Sequence, residues 1–222
     1  MPLALWALTI SAFAVGTTEF VIVGLIPTIA ADLGVSLPSA GLLVSVYALG
    51  VTIGAPVLTA LAGRVPRKTL LLALLALFIA GNAFAAVAPG YDSLLAARFI
   101  TGLAHGVFFA IASTIATNLV DRSRESSAIA LVFLGLTVAL VTGVPLGTWI
   151  GQLFGWQSAF LGVVVLGVIG LVASALLVPS NLRQGAAPSL RAQARVLTSP
   201  RLLLAYLITA VGYGGNFIAF TY

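Results

Sequence analysis

Apolar residues fill most of this chain in long runs, and short polar turns separate each run from the next. A helix needs roughly 20 predominantly apolar residues to cross a membrane. The pattern therefore predicts seven membrane-spanning helices and, as the fold class, an all-α polytopic membrane protein. The predicted spans cover residues 4–29, 39–62, 69–88, 93–119, 127–150, 158–178 and 201–222.

The longest polar interval, residues 179–200, is rich in Ala, Gln and Arg and divides the chain unequally. This composition is typical of a linker. We expect residues 1–178 to form a six-helix transmembrane bundle and residues 179–200 to form a cytoplasmic loop between bundles. Residues 201–222 are then the seventh helix, at the start of a second bundle that this sequence does not contain.

The basic residues predict which side of the membrane each loop faces. Lys and Arg in short loops favour the cytoplasmic side. They occur in or beside the second, fourth and sixth loops, and the first, third and fifth loops contain none. We therefore expect a cytoplasmic N-terminus, and the first apolar run, which lacks a basic leader, is expected to be a retained span. The basic residues in or beside these loops are Arg64, Arg67, Lys68, Arg122, Arg124, Arg183, Arg191, Arg195 and Arg201.

Composition excludes several classes of protein. With 61% hydrophobic and 7% charged residues, a soluble fold of this length could not bury its apolar surface. The absence of cysteine excludes disulfides and thiolate metal sites. The net charge of +5 is dispersed among loops, which suits contacts with anionic lipid better than nucleic acid. No nucleophile–base set, metal cluster or phosphate loop is visible, so the sequence predicts neither an enzyme nor a cofactor or metal.

Two internal repeats indicate how the helices are organised. Residues 54–59 and 143–148 share the pattern G-[AV]-P-[VL]-x-T, three spans apart. Spans three apart run in opposite directions, as inverted three-helix repeats require. A weaker repeat relates residues 10–16 to residues 208–214 and suggests that the seventh span begins a second copy of the first six.

Three ionisable residues lie within the predicted spans: Glu19, Arg98 and His105. A charge at membrane depth is costly and is usually functional. At 1.5 Å per residue, Glu19 lies about 22 Å from the cytoplasmic end of its span and Arg98 about 9 Å from the outer end of its own. The similar depths predict a Glu19–Arg98 pair, which is either functional or a static ion pair. His105 is either a proton relay, since imidazole titrates near neutral pH, or a packing residue.

Thr101, Gly102 and His105 continue a polar and small stripe from Arg98, which suits a water-filled cavity. The alternative is tight helix packing, because Gly102 and Gly106 also form a GxxxG pattern. In span five, Gly and Pro predict a kinked, closely packed helix, and the alternative is plain helix packing. Asp32 and Asp92 are expected to be loop or helix-start residues in solvent. The candidate substrate-lining residues are Phe13, Phe20, Thr101, Phe108, Phe109, Tyr213 and Asn216, and those of span five are Gly143, Pro145, Gly147 and Gly151.

In combination, these segments resemble the major facilitator superfamily, in particular its twelve-helix drug:proton antiporters, which include bacterial sugar-efflux and chloramphenicol-resistance-type permeases. The resemblance runs along essentially the whole chain. The segments that carry it are Gly16–Phe20 with Pro27, Tyr47–Gly50, Arg64–Lys68, Arg98–Gly102 and Gly143–Gly147.

The resemblance implies roles for these residues. Glu19 and Arg98 would serve substrate and proton coupling, the span-five segment would favour export, and Arg64, Arg67 and Lys68 would gate the cytoplasmic loop. It also implies a bacterial inner membrane location. The sequence departs from the family at Gly63, where an acidic residue is usual, at Pro66 and Val144, where Gly is usual, and at Gln157, where Arg is frequent.

These expectations combine into one leading function: proton-coupled efflux of small organic molecules, such as drugs or sugars, by alternating access. The expected partners are the substrate, protons, the lipid bilayer and a second bundle, from the same longer chain or from another copy. A proton-coupled importer or sugar permease and a truncated, non-transporting membrane subunit remain the alternatives. The substrate is not identified by the sequence.

Overall fold

The computed structural model describes residues 1–61, 65–182 and 198–221, and within these ranges the regular structure is helical throughout. Short turns join the helices, and two of the turns use glycine with positive φ, Gly34 (62°) and Gly155 (88°). The helices are α1 (Leu3–Leu33), α2 (Leu37–Leu61), α3 (Arg67–Ala86), α4 (Tyr91–Asn118), α5 (Arg122–Phe154), α6 (Trp156–Leu177) and α7 (Pro200–Thr221).

Helix α5 departs from regular α-helical geometry in the segment where the sequence predicted a kink. It begins with a 3-10 turn, continues as an α-helix over Glu125–Val138, forms a π-helical turn over Ala139–Gly143 and resumes as an α-helix over Val144–Phe154. The backbone N–H of Val144 donates to the carbonyl of Ala139, five residues earlier, which is the π-helical pattern. Pro145, next along the chain, has no N–H to continue the α-helical ladder.

The chain divides into two compact units, Met1–Gln184 and Gly185–Tyr222. The first contains six helices that are long and apolar enough to cross a membrane, which confirms the first six predicted spans. The second contains α7, in which the described apolar stretch is Leu202–Gly212. The seventh span therefore stays a prediction.

Helix packing in the first unit has an internal symmetry. Helix α2 packs along α4 as α5 packs along α1, and α3 packs on α4 as α6 packs on α1. Helices α3 and α6 also pack on each other. Exchanging α1 with α4, α2 with α5 and α3 with α6 leaves these pairings unchanged, as two inverted three-helix repeats require.

Glycine allows α2 and α4 to approach through their backbones. A Cβ on Gly102 would stand 3.1 Å from Cα of Gly50, and a Cβ on Gly54 would stand 2.5 Å from the carbonyl oxygen of Leu103. Gly106 likewise faces the α2 backbone at Val51. The glycines of α4 therefore serve tight helix packing, the alternative that the GxxxG pattern raised.

The glycines of α5 pack in the same way on α1. A Cβ on any of them would meet an α1 side chain or, at Gly135, the α1 backbone. Their geometry is that of close helix packing, and it places the span-five segment directly against the helix that carries Glu19. The contacts join Gly135 to Thr9, Gly143 to Thr17, Gly147 to Val21 and Gly151 to Leu25.

Candidate functional site

Glu19 and His105 face each other between α1 and α4. Oε2 of Glu19 lies 3.9 Å from Nδ1 of His105, and the two side chains are 16% and 11% exposed. At 3.9 Å the two groups are too far apart for a direct hydrogen bond, but close enough for the charge of one to act on the other. The geometry thus places the two candidate proton carriers side by side.

Tyr47 of α2 completes this cluster. Its hydroxyl lies 2.8 Å from Nδ1 of His105, the same nitrogen that faces Glu19. Its ring meets the imidazole edge to face, with the ring centroids 5.7 Å apart. The Tyr47 side chain is buried, at 2% exposure. Sequence reasoning noted Tyr47 only within the family-like segment 47–50 and assigned it no role.

Arg98 lies beneath this cluster and is fully buried. Its Nη1 donates to the carbonyl of Thr18 at 2.9 Å, and its Nε donates to the carbonyl of Leu43 at 3.4 Å. Its Cζ atom stands 4.0 Å from the centroid of the Tyr47 ring, a cation–π contact. Nη2 has no hydrogen-bond partner among the described residues. The guanidinium therefore retains the two N–H groups of Nη2 for a further acceptor.

The expected direct Glu19–Arg98 ion pair is not formed. Within 4 Å of the Glu19 carboxylate, the charged or titratable partner among the described residues is His105. Arg98 instead donates to backbone carbonyls, because its span places the guanidinium beside Thr18 and Leu43. The depth estimate brought the two charges to the same region but could not resolve which atoms meet.

A buried amide supports the residue next to Glu19. The hydroxyl of Thr18 donates to Oδ1 of Asn82 at 2.6 Å, and Nδ2 of Asn82 donates to the carbonyl of Phe78 at 2.8 Å. Sequence reasoning missed Asn82, although an Asn inside the apolar run 69–88 was an available signal, since intramembrane polar residues are costly. The link ties α3 to the helix that carries Glu19.

The two repeats meet through equivalent contacts. A glycine in the first helix of each repeat (α1 or α4) packs against two residues, three apart, in the second helix of the other repeat (α5 or α2). The same register relates residues 54–59 to residues 143–148, so the sequence repeat marks equivalent places in the fold. The equivalent contacts are Gly16 with Leu136 and Ala139, and Gly102 with Tyr47 and Gly50.

The same contacts make Gly16 of α1 equivalent to Gly102 of α4, and this equivalence also relates Glu19 to His105. Each lies three residues after its packing glycine, Gly16 in α1 and Gly102 in α4. The 3.9 Å contact between them therefore joins equivalent positions of the two repeats. A change of charge here acts where the two repeats meet.

The predicted lining residues lie in different surroundings. Phe20 and Phe108 are buried, Phe13 and Phe109 are half-buried, and the buried Thr101 hydroxyl donates to the carbonyls of its own helix. The Phe109 ring stacks on Phe133 at 5.0 Å and meets His105 at 5.2 Å. Tyr213 and Asn216 fall within α7, but their side chains lie outside the described residues.

The cytoplasmic-loop residues are described in part. Arg64 lies outside the described residues, and Arg67 is the first residue of α3. Nζ of Lys68 donates to the carbonyl of Ala175 at 2.7 Å, near the C-terminal end of α6. A cation there favours the negative end of the helix dipole. A metal-binding group of three His, Cys, Asp or Glu side chains is absent from the described ranges.

Asp32 is exposed to solvent, as expected, and it also joins two helices. Its Oδ2 accepts a hydrogen bond from Nε1 of Trp156 at 2.7 Å and a longer one from Nε2 of Gln157 at 3.5 Å. The contact joins the end of α1 to the start of α6, where a carboxylate is favoured by the helix dipole. Asp32 is therefore a link between helices.

Comparison with known proteins was made at the level of family, sequence and structure. The family model for the Major Facilitator Superfamily matches residues 8–222. The chain is 54% identical over 219 residues to the uncharacterized MFS-type transporter YtbD of Bacillus subtilis, covering 99% of this chain and 55% of that protein. It is 38% identical over 225 residues to a chloramphenicol resistance protein of Streptomyces lividans, covering all of this chain and 57% of that protein.

A solved structure shares the fold. A peptide transporter of the POT family, crystallised with sulfate, superposes with a TM-score of 0.74 at 17% identity and covers 100% of this chain and 48% of that one. At that identity the likeness concerns the fold alone. The chain spans about half the length of the curated relatives it matches.

Proposed function

Because the chain belongs to the major facilitator superfamily of membrane transporters, which are not enzymes, we propose that it supplies the proton-coupling bundle of a secondary active exporter. Small organic molecules would leave the cell in exchange for protons by alternating access. The observation that carries this proposal is the buried Glu19–His105 contact at 3.9 Å, beside a fully buried Arg98.

The charges of this cluster support a proton-driven switch. When His105 carries a second proton, its charge and that of Glu19, 3.9 Å apart, attract each other by about 4 kcal/mol at an effective dielectric constant of 20. That approaches the ~5.5 kcal/mol needed to move a two-state equilibrium from 1:99 to 99:1. Protonating Glu19 removes its negative charge from the place where the two repeats meet, so it biases the bundle towards one of its two faces.

Arg98 has the complementary role in the proposal. Its free Nη2 is a buried donor that a carboxylate or an anionic substrate group can occupy. A substrate that binds Arg98 and also hydrogen-bonds to the ionised Glu19 carboxylate competes with the proton for that carboxylate. That competition makes the two occupancies alternate, as antiport requires.

The direction of transport and the arrangement of the chain are also proposals. The printed name of the Streptomyces relative associates that protein with chloramphenicol resistance, which favours efflux here. We place the N-terminus in the cytoplasm, the bundle of residues 1–178 in the bacterial inner membrane, and residues 179–200 as the loop leading to a second bundle that begins at residue 201.

The test uses everted membrane vesicles from cells that express the gene. An imposed proton gradient is followed with a pH-sensitive dye, and chloramphenicol is added as the first probe of a panel of amphipathic drugs. Drug addition should dissipate the gradient with wild-type protein but not with Glu19→Gln. Glu125→Gln, the same change at the cytoplasmic start of α5, is the control and should behave as wild type. Unchanged drug-dependent proton movement in Glu19→Gln would overturn the proposal.

A further inference from the structure

The His105 ring has one nitrogen with two competing neighbours. Nδ1 lies 2.8 Å from the Tyr47 hydroxyl and 3.9 Å from Oε2 of Glu19. A ring nitrogen either accepts one hydrogen bond or carries one proton to donate. It therefore cannot accept from Tyr47 and donate to Glu19 at the same time.

The burial of Tyr47 decides which of these bonds forms. A buried tyrosine hydroxyl requires an acceptor. Among the described residues, the acceptor within hydrogen-bonding distance of this hydroxyl is Nδ1 of His105. The Tyr47 O–H accordingly donates to Nδ1, which leaves Nδ1 without a proton and puts the proton of the neutral imidazole on Nε2.

Tyr47 is held rigidly enough to impose this choice. A Cβ on Gly102 would clash with the Tyr47 carbonyl oxygen, so α2 and α4 touch through their backbones one turn before His105. The Tyr47 ring is fixed on its other side by the Arg98 guanidinium, 4.0 Å from the ring centroid. The hydroxyl therefore has little freedom to turn away from His105.

We propose that Tyr47 is a positioning residue of the proton site formed by Glu19 and His105. This proposal rests on the proposed function. Its hydroxyl holds Nδ1 of His105 in the accepting state, which keeps the imidazole from donating to Glu19. When Nδ1 gains a proton, Tyr47 can only accept, and the N–H is free to turn to the Glu19 carboxylate. Tyr47 thus determines whether His105 and Glu19 are coupled.

The chain offers a direct spectroscopic test, because His105 is its single histidine. The full chain, purified without a histidine tag and reconstituted in phospholipid, is labelled with ¹⁵N-histidine, and ring nitrogen NMR reports which nitrogen carries the proton. For wild-type protein at neutral to mildly alkaline pH, the expected result is an unprotonated Nδ1 and a protonated Nε2. A protonated Nδ1 in the wild-type protein at this pH would overturn the inference. This test needs no variant and therefore does not depend on whether a variant folds.

Tyr47→Phe keeps the ring over Arg98 and removes only the hydroxyl. With that donor lost, the neutral imidazole gains by placing its proton on Nδ1, towards Glu19. A hydrogen bond from Nδ1–H to the charged Glu19 carboxylate then replaces the bond that Nδ1 accepted from the neutral Tyr47 hydroxyl. The tautomer ratio should therefore shift towards Nδ1–H by about tenfold or more. A ratio unchanged from wild type would overturn the inference.

Two further variants separate positioning from general packing. Tyr91→Phe removes the other α4–α2 tyrosine bond, from the Tyr91 hydroxyl to the Ser39 carbonyl at 2.5 Å, and should leave the His105 tautomer unchanged. Glu19→Gln should also leave it unchanged, because Tyr47 still donates to Nδ1. A shift in either variant would contradict a role specific to Tyr47.

The readout needs no substrate, so it is independent of the transport assay. If NMR shows the expected His105 tautomers but the protein moves no protons in vesicles, the proposed function is wrong and the role of Tyr47 stands. If the wild-type protein shows proton-coupled transport but Tyr47→Phe leaves the His105 tautomer unchanged, the role of Tyr47 is wrong and the proposed function stands.

Discussion

Replacing Gly102 by alanine tests the backbone contact on which the proton site is built. The added Cβ would stand 3.1 Å from Cα of Gly50 and 3.1 Å from the backbone nitrogen of Val51, and closer still to the carbonyl oxygen of Tyr47. Carbon atoms in contact prefer a separation of about 3.5–4.0 Å. Since all of these atoms are backbone, no side chain can rotate away, and α2 must withdraw from α4.

The cost follows from the size of that withdrawal. Inserting a methyl group into a well-packed interface typically costs about 1–3 kcal/mol. A shift of about 1 Å would also stretch the 2.8 Å bond between Tyr47 and His105 beyond hydrogen-bonding distance, at a further cost of about 0.5–1.5 kcal/mol. The expected loss is therefore about 1.5–4.5 kcal/mol, or a fall in Tm of about 3–18 °C for a chain of this size.

Thermal unfolding in detergent measures this change, and α2 provides a matched control. A Cβ on Gly41 would meet nothing within 4 Å, so Gly41→Ala should be neutral or should stabilise by about 0.5–1 kcal/mol through helix propensity alone. If Gly102→Ala is as stable as Gly41→Ala, the close backbone contact between α2 and α4 does not limit the side chain at residue 102. Destabilisation with an unchanged His105 tautomer would show instead that the helices give way elsewhere.

Three further substitutions test the other contacts of the bundle. Trp156→Phe removes the 2.7 Å bond to Asp32 and should lower the free energy of unfolding by about 1.5–3 kcal/mol, measured by thermal or denaturant unfolding. Thr18→Val leaves Oδ1 of Asn82 without its donor and should cost about 1–3 kcal/mol in the same assay. Arg98→Lys keeps the charge but loses the planar fork that reaches two carbonyls, so drug-dependent proton movement in vesicles should fall at least tenfold.

Each of these predictions has an outcome that would contradict it. Thr137 is exposed and donates only to the carbonyl of Phe133 in its own helix, so Thr137→Val is the control for Thr18→Val and should be near neutral. Equal stability of the two valine variants would show that the Asn82 link contributes nothing. If Trp156→Phe is as stable as the wild-type protein, the bond to Asp32 contributes nothing. If Arg98→Lys moves protons as the wild-type protein does, the planar fork of the arginine is not required.

The fold was largely predictable because membrane-spanning helices follow from local composition. Apolar runs of sufficient length predicted all six spans of the first unit. The repeat at residues 54–59 and 143–148 predicted two inverted three-helix repeats, and the helix packing has the symmetry that such repeats require. Helix ends were placed less well. Helix α1 continues to Leu33, past the predicted end at residue 29, since its stop is set by the positive φ of Gly34.

The candidate site was predictable as a set of residues but not as a set of bonds. The cost of intramembrane charge drew attention to Glu19, Arg98 and His105. The partners of these residues depend on how each helix is rotated about its axis. A helix that is apolar on nearly all sides has no hydrophobic periodicity from which that rotation could be predicted. That is why the Glu19–Arg98 pair was expected where the structure has Glu19 beside His105, and why Tyr47 was assigned no role.

The central claim is that substrate and proton compete through Glu19, and proton release on substrate binding tests it most directly. Purified protein in weakly buffered detergent solution is mixed with a drug that drives proton movement in vesicles, and the pH change is recorded. Because coupling between two bound ligands is reciprocal, wild-type protein should release up to about one proton per drug bound, and Glu19→Gln should release none. Equal proton release by both proteins would contradict the account.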